Sequence, residues 1–193
     1  MDNLEKRIKI NGVINGLLLG VILTALSIFS YYFITAITSS PVLFVAGPIM
    51  FSVFIPIFAV VLFCFNARKK IGGYWTFRQA TTGIFIMFLT AYLVQFAGKN
   101  LIFDKVIEPN NVQMTQNAAI NAKVAILKER KTDPRVIERN IIELKKDFNQ
   151  QKNLTVGNTI QGMVFSILFV FLFALIFASL FKREPGFVNT NTP

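Results

Sequence analysis

Charged and apolar positions divide the chain into long blocks that are suited to a membrane. No charged residue occurs between Lys9 and Arg68, and a second charge-free block of 20 residues lies between Arg78 and Lys99. A spanning helix needs about 20 mostly apolar residues, so the first block holds two helices, which a polar turn ending at Pro41 separates. A further apolar block lies near the C-terminus. The pattern therefore predicts four transmembrane helices.

The predicted fold is an all-α integral membrane protein with four transmembrane helices and an extracytoplasmic helical hairpin between the third and the fourth. The predicted spans cover residues 10–37, 42–65, 79–98 and 158–181. Three regions follow: a cytoplasmic N-terminus with the first three spans (1–98), a periplasmic hairpin (99–152), and the fourth span with a cytoplasmic tail (153–193).

Residues 99–152 are the one sizeable segment outside the spans, and they have helical periodicity. Thr132, Asp133 and Pro134 supply a cap and a first-turn proline for the second helix of a hairpin. Apolar residues of that helix form a stripe: Ile137, Ile141, Leu144 and Phe148. Because such a hairpin is too small to bury a core of its own, we expect its stripes to pack on each other, on the membrane surface or on a partner.

The first span carries small residues at intervals of four: Gly12, Gly16, Gly20 and Thr24. Two overlapping GxxxG units place a narrow groove along one helix face, where another helix backbone can approach closely. The groove fits packing within the chain's own bundle, and it also fits contact with a second molecule. The last span offers weaker small-residue partners: Gly162, Ser166, Ala174 and Ala178.

Composition narrows the chemistry that the chain can perform. Charged residues make up 16% of the sequence, against about 25% in soluble domains. One Cys and no His exclude most zinc sites, disulfide frameworks and Ser-His-Asp chemistry. No Asp, Glu, Lys, Arg or His lies in the interior of a predicted span, which disfavours proton-coupled transport. We therefore expect no enzymatic activity, no cofactor and no bound metal.

The net charge of +10 predicts contact with anionic surfaces. Basic residues flank the first two spans on one side: Lys6, Arg7, Lys9, Arg68, Lys69 and Lys70. The turn between those spans is uncharged, and this asymmetry predicts that both termini are cytoplasmic. Arg68, Lys69 and Lys70 adjoin a span end, where each gains about 1 kcal/mol against anionic lipid. Nucleic-acid binding is not expected, because no concentrated basic face with reading elements is present.

The loop before the third span contains a local motif: Gly73, Tyr74, Trp75, Thr76, Phe77, Gln79 and Ala80. Thr76 and Gln79 have the spacing of a capping box, in which each side chain accepts a hydrogen bond from the other residue's amide. Tyr74 and Trp75 are expected at the level of the lipid headgroups. The motif is explained as structure, without catalysis.

This motif and the order of the spans resemble one known family. A glycine–aromatic stretch followed by Ser/Thr-Phe-x-Gln/Glu-Ala, with Gly83 three residues further on, is similar to the DUF4199 membrane proteins, found mainly in Bacteroidetes. Thr81 and Thr82 depart from that pattern, since bulkier residues are expected there. The resemblance covers nearly the whole chain. It implies a bacterial inner-membrane location with the hairpin in the periplasm, and it implies no activity.

Three functional hypotheses follow. The leading one is a non-enzymatic small subunit or accessory scaffold of a larger inner-membrane complex, with the glycine groove and the hairpin as its contact surfaces. The first alternative is a transporter or channel for a lipid or a small neutral solute, working at the Pro56 kink and recognisable by a cavity that reaches Gln95 and Pro56. The second alternative is a homo-oligomer assembled through the first-helix glycine groove.

Overall fold

The computed structural model describes residues 2–152 and 156–183, and most of these are helical. Within those ranges no strand forms, and the β-type pairing is a two-residue bridge between Trp75 and Arg183. Four helices are long and apolar enough to cross a membrane: Asn3–Ile37, Pro41–Lys70, Phe77–Ile107 and Ile160–Phe181. The predicted all-α fold with four spans is therefore confirmed.

Six helices make up the described chain, and each of the first three continues through a π-helical stretch with i to i+5 bonding. α1 comprises Asp2–Tyr32 and Phe33–Ile37; α2 comprises Pro41–Ile49, Met50–Phe54 and Ile55–Lys70; α3 comprises Phe77–Gln95 and Phe96–Ile107. The others are α4 (Asn111–Glu129), α5 (Pro134–Lys152) and α6 (Val156–Phe181). The predicted cytoplasmic tail lies mostly outside the described residues.

α3 is longer than its predicted span. The helix continues to Ile107, nine residues beyond the predicted end at residue 98. Lys99 and Asp104 lie five residues apart and form an ion pair, a spacing that the π-helical turn brings together. The charged residues after the span are thus carried by the same helix, and the hairpin helices themselves begin at Asn111 rather than at residue 99.

The turn between α4 and α5 is built as the sequence predicts. Lys131 has a φ of +54°, and the Thr132 amide donates to the Leu127 carbonyl at 3.0 Å, as in a Schellman motif. Asp133 Oδ1 accepts from the Arg135 amide at 2.8 Å, which satisfies an orphan donor of α5. The two hairpin helices therefore meet in a defined turn.

α1 and α3 run parallel and in contact at the centre of the bundle, with α2 against α1 and α6 against α3. α4 lies on the ends of α1 and α2, and α5 packs on α4. The core includes Leu19, Ile84 and Met87, none more than 1% exposed. We call the end of the bundle that holds Lys70 the N-terminal side, and the opposite end the hairpin side.

Candidate functional site

The glycine groove of α1 is filled by α3. A Cβ added at each glycine would approach a backbone carbonyl oxygen of α3: Gly83 at 2.9 Å from Gly12, Met87 at 2.6 Å from Gly16, and Ala91 at 2.9 Å from Gly20. Side chains do not tolerate such distances, so the two backbones meet because glycine has no Cβ. We call this line of contacts the glycine seam. An intermolecular contact through the same groove would require α3 to leave it.

The seam continues on the hairpin side through Thr24 and through contacts that sequence reasoning did not assign. A Cβ at Gly98 would lie 2.7 Å from Thr24 Cγ2, and Gln95 Nε2 donates to Ser27 Oγ at 3.0 Å. The Thr24 hydroxyl donates to the carbonyl of the residue one turn earlier at 2.8 Å. A lone glycine such as Gly98 carries no spacing signal, which is why the sequence did not reveal it.

A ladder of amide side chains joins α1 to the end of α2. Asn15, which is fully buried, donates from Nδ2 to Asn11 Oδ1 at 2.8 Å and accepts from Asn66 Nδ2 at 3.2 Å. Asn11 Nδ2 in turn donates to the Ala67 carbonyl at 2.9 Å. The buried amide of Asn15 thereby finds partners on both sides, which offsets the cost of removing it from water.

The loop before α3 forms the predicted capping box. Gln79 Oε1 accepts from the Thr76 amide at 2.9 Å, and Thr76 Oγ1 accepts from the Gln79 amide at 3.4 Å. Ala80 is fully buried one turn later, whereas Phe77 is exposed. Gly73 has a φ of +84°, a left-handed conformation that favours glycine. The sequence therefore fixes where α3 begins.

Trp75 was expected to face the lipid headgroups, but its side chain is buried within the protein. Its side chain is 3% exposed, and its Nε1 donates to the Phe181 carbonyl at 2.7 Å. Its backbone also exchanges two hydrogen bonds with Arg183 at 2.9 and 3.1 Å. Trp75 thus satisfies carbonyls at the C-terminal end of α6, while Tyr74 beside it stays exposed with the Arg183 guanidinium 5.5 Å from its ring. A buried polar partner for the indole N–H explains the difference.

The predicted lipid-binding cluster at the end of α2 is divided. Arg68 points toward α6, where Nη1 donates to the Phe181 carbonyl at 3.4 Å, and its guanidinium lies 5.3 Å from the Phe65 ring. Lys69 and Lys70 are exposed. The Lys70 carbonyl accepts from the Arg7 guanidinium at 3.1 Å. Arg68 therefore serves a helix contact, whereas Lys69 and Lys70 remain exposed at the end of α2.

An aromatic cluster attaches the hairpin to α1. Phe103 is 1% exposed and packs edge-on against Tyr31 and Tyr32, with ring centroids 5.2 and 5.8 Å away. The Tyr32 hydroxyl donates to Glu108 Oε1 at 3.0 Å. Asn111 Nδ2 donates to the Glu108 carbonyl at 2.9 Å and so caps the end of α3. These contacts tie the base of the hairpin to the bundle.

The predicted apolar stripe of the second hairpin helix is its half-buried face. Ile137, Ile141, Leu144 and Phe148 are each partly covered, and α5 packs on α4. The neighbouring face carries an uncovered apolar residue, Ile142, which is 59% exposed between polar residues such as Lys145 and Asn149.

A cleft opens between α2 and α6, with α1 and α3 as its floor. Its inner part has a volume of about 400 Å³ and reaches both Pro56 and Gln95. From Tyr92 and Gln95 a second cavity of about 680 Å³ continues between α3 and α6 to Lys99 and Lys105 on the hairpin side. We call the two cavities together the lateral cleft. On the N-terminal side the helices close, and the Phe65 and Phe181 rings lie 4.9 Å apart.

The described residues hold no group of three or more His, Cys, Asp or Glu side chains arranged to bind a metal ion. Cys64 is fully buried in the apolar core, where it packs as a small apolar side chain. The lateral cleft and the hairpin are the features at which a ligand or a partner can make contact.

Comparisons with known proteins give one match. Residues 14–183 match the family model described as a protein of unknown function, DUF4199. No curated protein and no solved structure matches the chain significantly. Since the family model extends from the first span to the bridge after the fourth, the chain belongs to the DUF4199 family.

Proposed function

We propose that the protein is a non-enzymatic small subunit or accessory protein of a larger bacterial inner-membrane complex. In this proposal both termini are cytoplasmic, and the hairpin projects into the periplasm as the surface that a larger membrane protein binds. The glycine groove is filled by α3, so it is not part of the proposed contact surface.

The observation that carries the proposal is the attachment of the hairpin to the bundle. Phe103, the Tyr32–Glu108 hydrogen bond and the Asn111 cap fix its base. An extramembrane element held in place loses little conformational entropy when a partner binds it. Ile142 on the outer helix supplies an exposed apolar contact.

The test is a pull-down of the tagged protein from its native membrane in mild detergent, followed by mass spectrometry. We expect a larger membrane protein in stoichiometric amount. Ile142→Lys should reduce its recovery about tenfold, as loss of a buried apolar anchor does. Asn117→Lys, which places the same charge on exposed α4, should not. A clean monomer from wild type, also without crosslinked partners in cells, would end the proposal.

The lateral cleft favours a second candidate, a transporter or channel for a lipid or a small neutral solute, because it reaches Gln95 and Pro56. In a Cys64→Ala background, Ser52→Cys in the cleft can be tested with a membrane-impermeant maleimide, with Ser39→Cys in the α1–α2 turn as the accessible control. Labelling of both cysteines supports a water-filled solute pathway. Labelling of residue 39 alone excludes that pathway and leaves a lipid as the candidate substrate.

A further inference from the structure

We infer that the lateral cleft binds an anionic phospholipid, with one acyl chain between α2 and α6 and the phosphate at Lys105. The inference goes beyond the proposed subunit role, because a lipid in the cleft requires no partner protein. It requires no transport either, since it concerns what fills the cleft at rest.

The walls of the inner cleft select a hydrocarbon chain. They consist mainly of apolar side chains that are part of the spans: Leu19, Val53, Ile57, Phe88, Phe173 and Phe177. The polar residues there are Ser52, Tyr92 and Gln95, and the Gln95 amide already donates to Ser27. Water or an ion would find few partners at this depth, whereas an acyl chain needs none. A volume of about 400 Å³ lies within the usual range of ligand pockets, roughly 300–1,000 Å³.

The shape of the cleft also favours a chain over a helix of another protein. Transmembrane helices associate where small residues let their backbones approach, and a helix with its side chains is about 10 Å wide. In the inner part of the cleft the walls instead carry bulky groups, including Phe88, Tyr92 and Phe173, with Ser52 and Ala91 as the small residues; Gly162 and Ser166 line the outer part only. A flexible chain fills such a narrow, uneven space with less rearrangement.

The outer part of the cleft supplies charge complementarity to a phosphate. Lys99 and Lys105 line it, together with Asn100, and no Asp or Glu is among its described lining residues. Lys99 is paired with Asp104, and within residues 2–152 and 156–183 Lys105 has no ion pair. Lys105 lies in the last turns of the helix Phe77–Ile107, and a lysine near the end of a spanning helix can extend its side chain to the headgroup level. The cleft therefore joins an apolar channel to an unpaired cation at the membrane surface.

The inference can be tested by photolabelling in phosphatidylcholine nanodiscs. The probe is a phosphatidylglycerol with a diazirine in one acyl chain, and the matched probe is a phosphatidylcholine with the same chain. We expect the phosphatidylglycerol probe to label peptides that contain residues 52–60 of α2 and 170–177 of α6. It should label them about fivefold more than the phosphatidylcholine probe does, the preference expected from one cation at an anionic headgroup.

Variants separate the two halves of the site. Ile57→Trp fills the cleft and should lower its labelling at least about fivefold; Val53→Trp is the second variant if the first does not fold. Leu62→Trp is the matched control. Leu62 is as exposed as Ile57, at 51% and 52%, but it does not line the cleft. Lys105→Gln should remove the preference for phosphatidylglycerol and keep labelling in the cleft.

Three results would overturn the inference. They are labelling spread evenly over all lipid-exposed helix faces, equal labelling of the wild-type cleft by both probes, and, in native membranes, cleft residues crosslinked to a peptide of another protein instead of to lipid. The pull-down addresses the subunit proposal separately, so failure of either experiment leaves the other proposal standing.

Discussion

The two helix pairs of this bundle differ in how closely they approach. Along the glycine seam the backbones of α1 and α3 touch, and an added Cβ at Gly16 would lie 2.6 Å from a carbonyl oxygen. Between α2 and α6 a cleft of about 400 Å³ remains, although these helices are as apolar as the others. Apolar side chains are as favourable against lipid as against another helix, so they do not drive helices together in a membrane. Close packing of small residues decides which pair closes.

The largest expected difference in stability is between a methyl group added in the glycine seam and one added on α6. Gly16→Ala puts a Cβ against Met87 and Thr90 and should lower the free energy of unfolding by about 3 kcal/mol. Gly162→Ala, on α6, has no atom within 4 Å of the new Cβ and should be neutral or stabilising by up to ~1 kcal/mol. Thermal denaturation of both variants in one detergent measures the difference. Equal midpoints would show that the seam is no tighter than the cleft.

The next effect concerns the closed end of the cleft. Trp75→Phe removes the indole N–H that donates to the Phe181 carbonyl at 2.7 Å. Because that contact is buried, the loss should cost about 2 kcal/mol and let the end of α6 separate from the α2–α3 loop. Hydrogen exchange at the amides of α6 and of Arg183, which pairs with residue 75, measures it.

The matched control for the indole is its neighbour. Tyr74 is 49% exposed, so Tyr74→Phe should change neither stability nor exchange. If Trp75→Phe behaves like that control, the N-terminal side of the cleft is closed by ring packing such as Phe65 on Phe181 rather than by the hydrogen bond.

These contacts also mark how far the sequence predicts this structure. Charge-free blocks predict the spans because a charged side chain at the bilayer centre is costly, so the spans can be located from the order of residues along the chain. The glycine repeat of α1 and the Thr76–Gln79 capping box are local patterns, and the structure contains both. In each of these two patterns, the residues that carry the signal are only three or four positions apart.

Partners distant in the chain left no such signal. Trp75 looked like an interfacial anchor because its hydrogen-bond acceptor, Phe181, lies 106 residues away. A cavity at Pro56 and Gln95 was expected only if the protein is a transporter or channel, because whether these residues come together depends on the packing of four helices. In the last span Ala174 and Ala178 are fully buried while Gly162 faces open space, and the sequence did not distinguish them.

A smaller effect is expected where α1, α3 and the hairpin join. Tyr32→Phe keeps the ring against Phe103 and removes the hydrogen bond to Glu108, at a cost of about 1 kcal/mol. Hydrogen exchange in α4 should rise near its first turn. Tyr92→Phe is the control, because the Tyr92 hydroxyl has no hydrogen bond within the described part of the chain. Unchanged exchange in Tyr32→Phe would mean that Phe103 packing alone holds the hairpin base.

The smallest effect belongs to the capping box that begins α3 and so sets the register of the seam. Thr76→Ala removes an acceptor 3.4 Å from the Gln79 amide, and Gln79→Ala removes one 2.9 Å from the Thr76 amide. Thr76 is exposed and Gln79 is half-buried, and loss of a cap at such positions should cost about 0.5–1 kcal/mol. The shorter bond predicts the larger loss for Gln79→Ala. Thr81→Ala, whose hydroxyl bonds back to Phe77 at 2.9 Å within the helix, should have almost no effect. Equal thermal midpoints for all three variants would mean that contacts of Ile8 and Trp75 with Gly83 set the register without help from the cap.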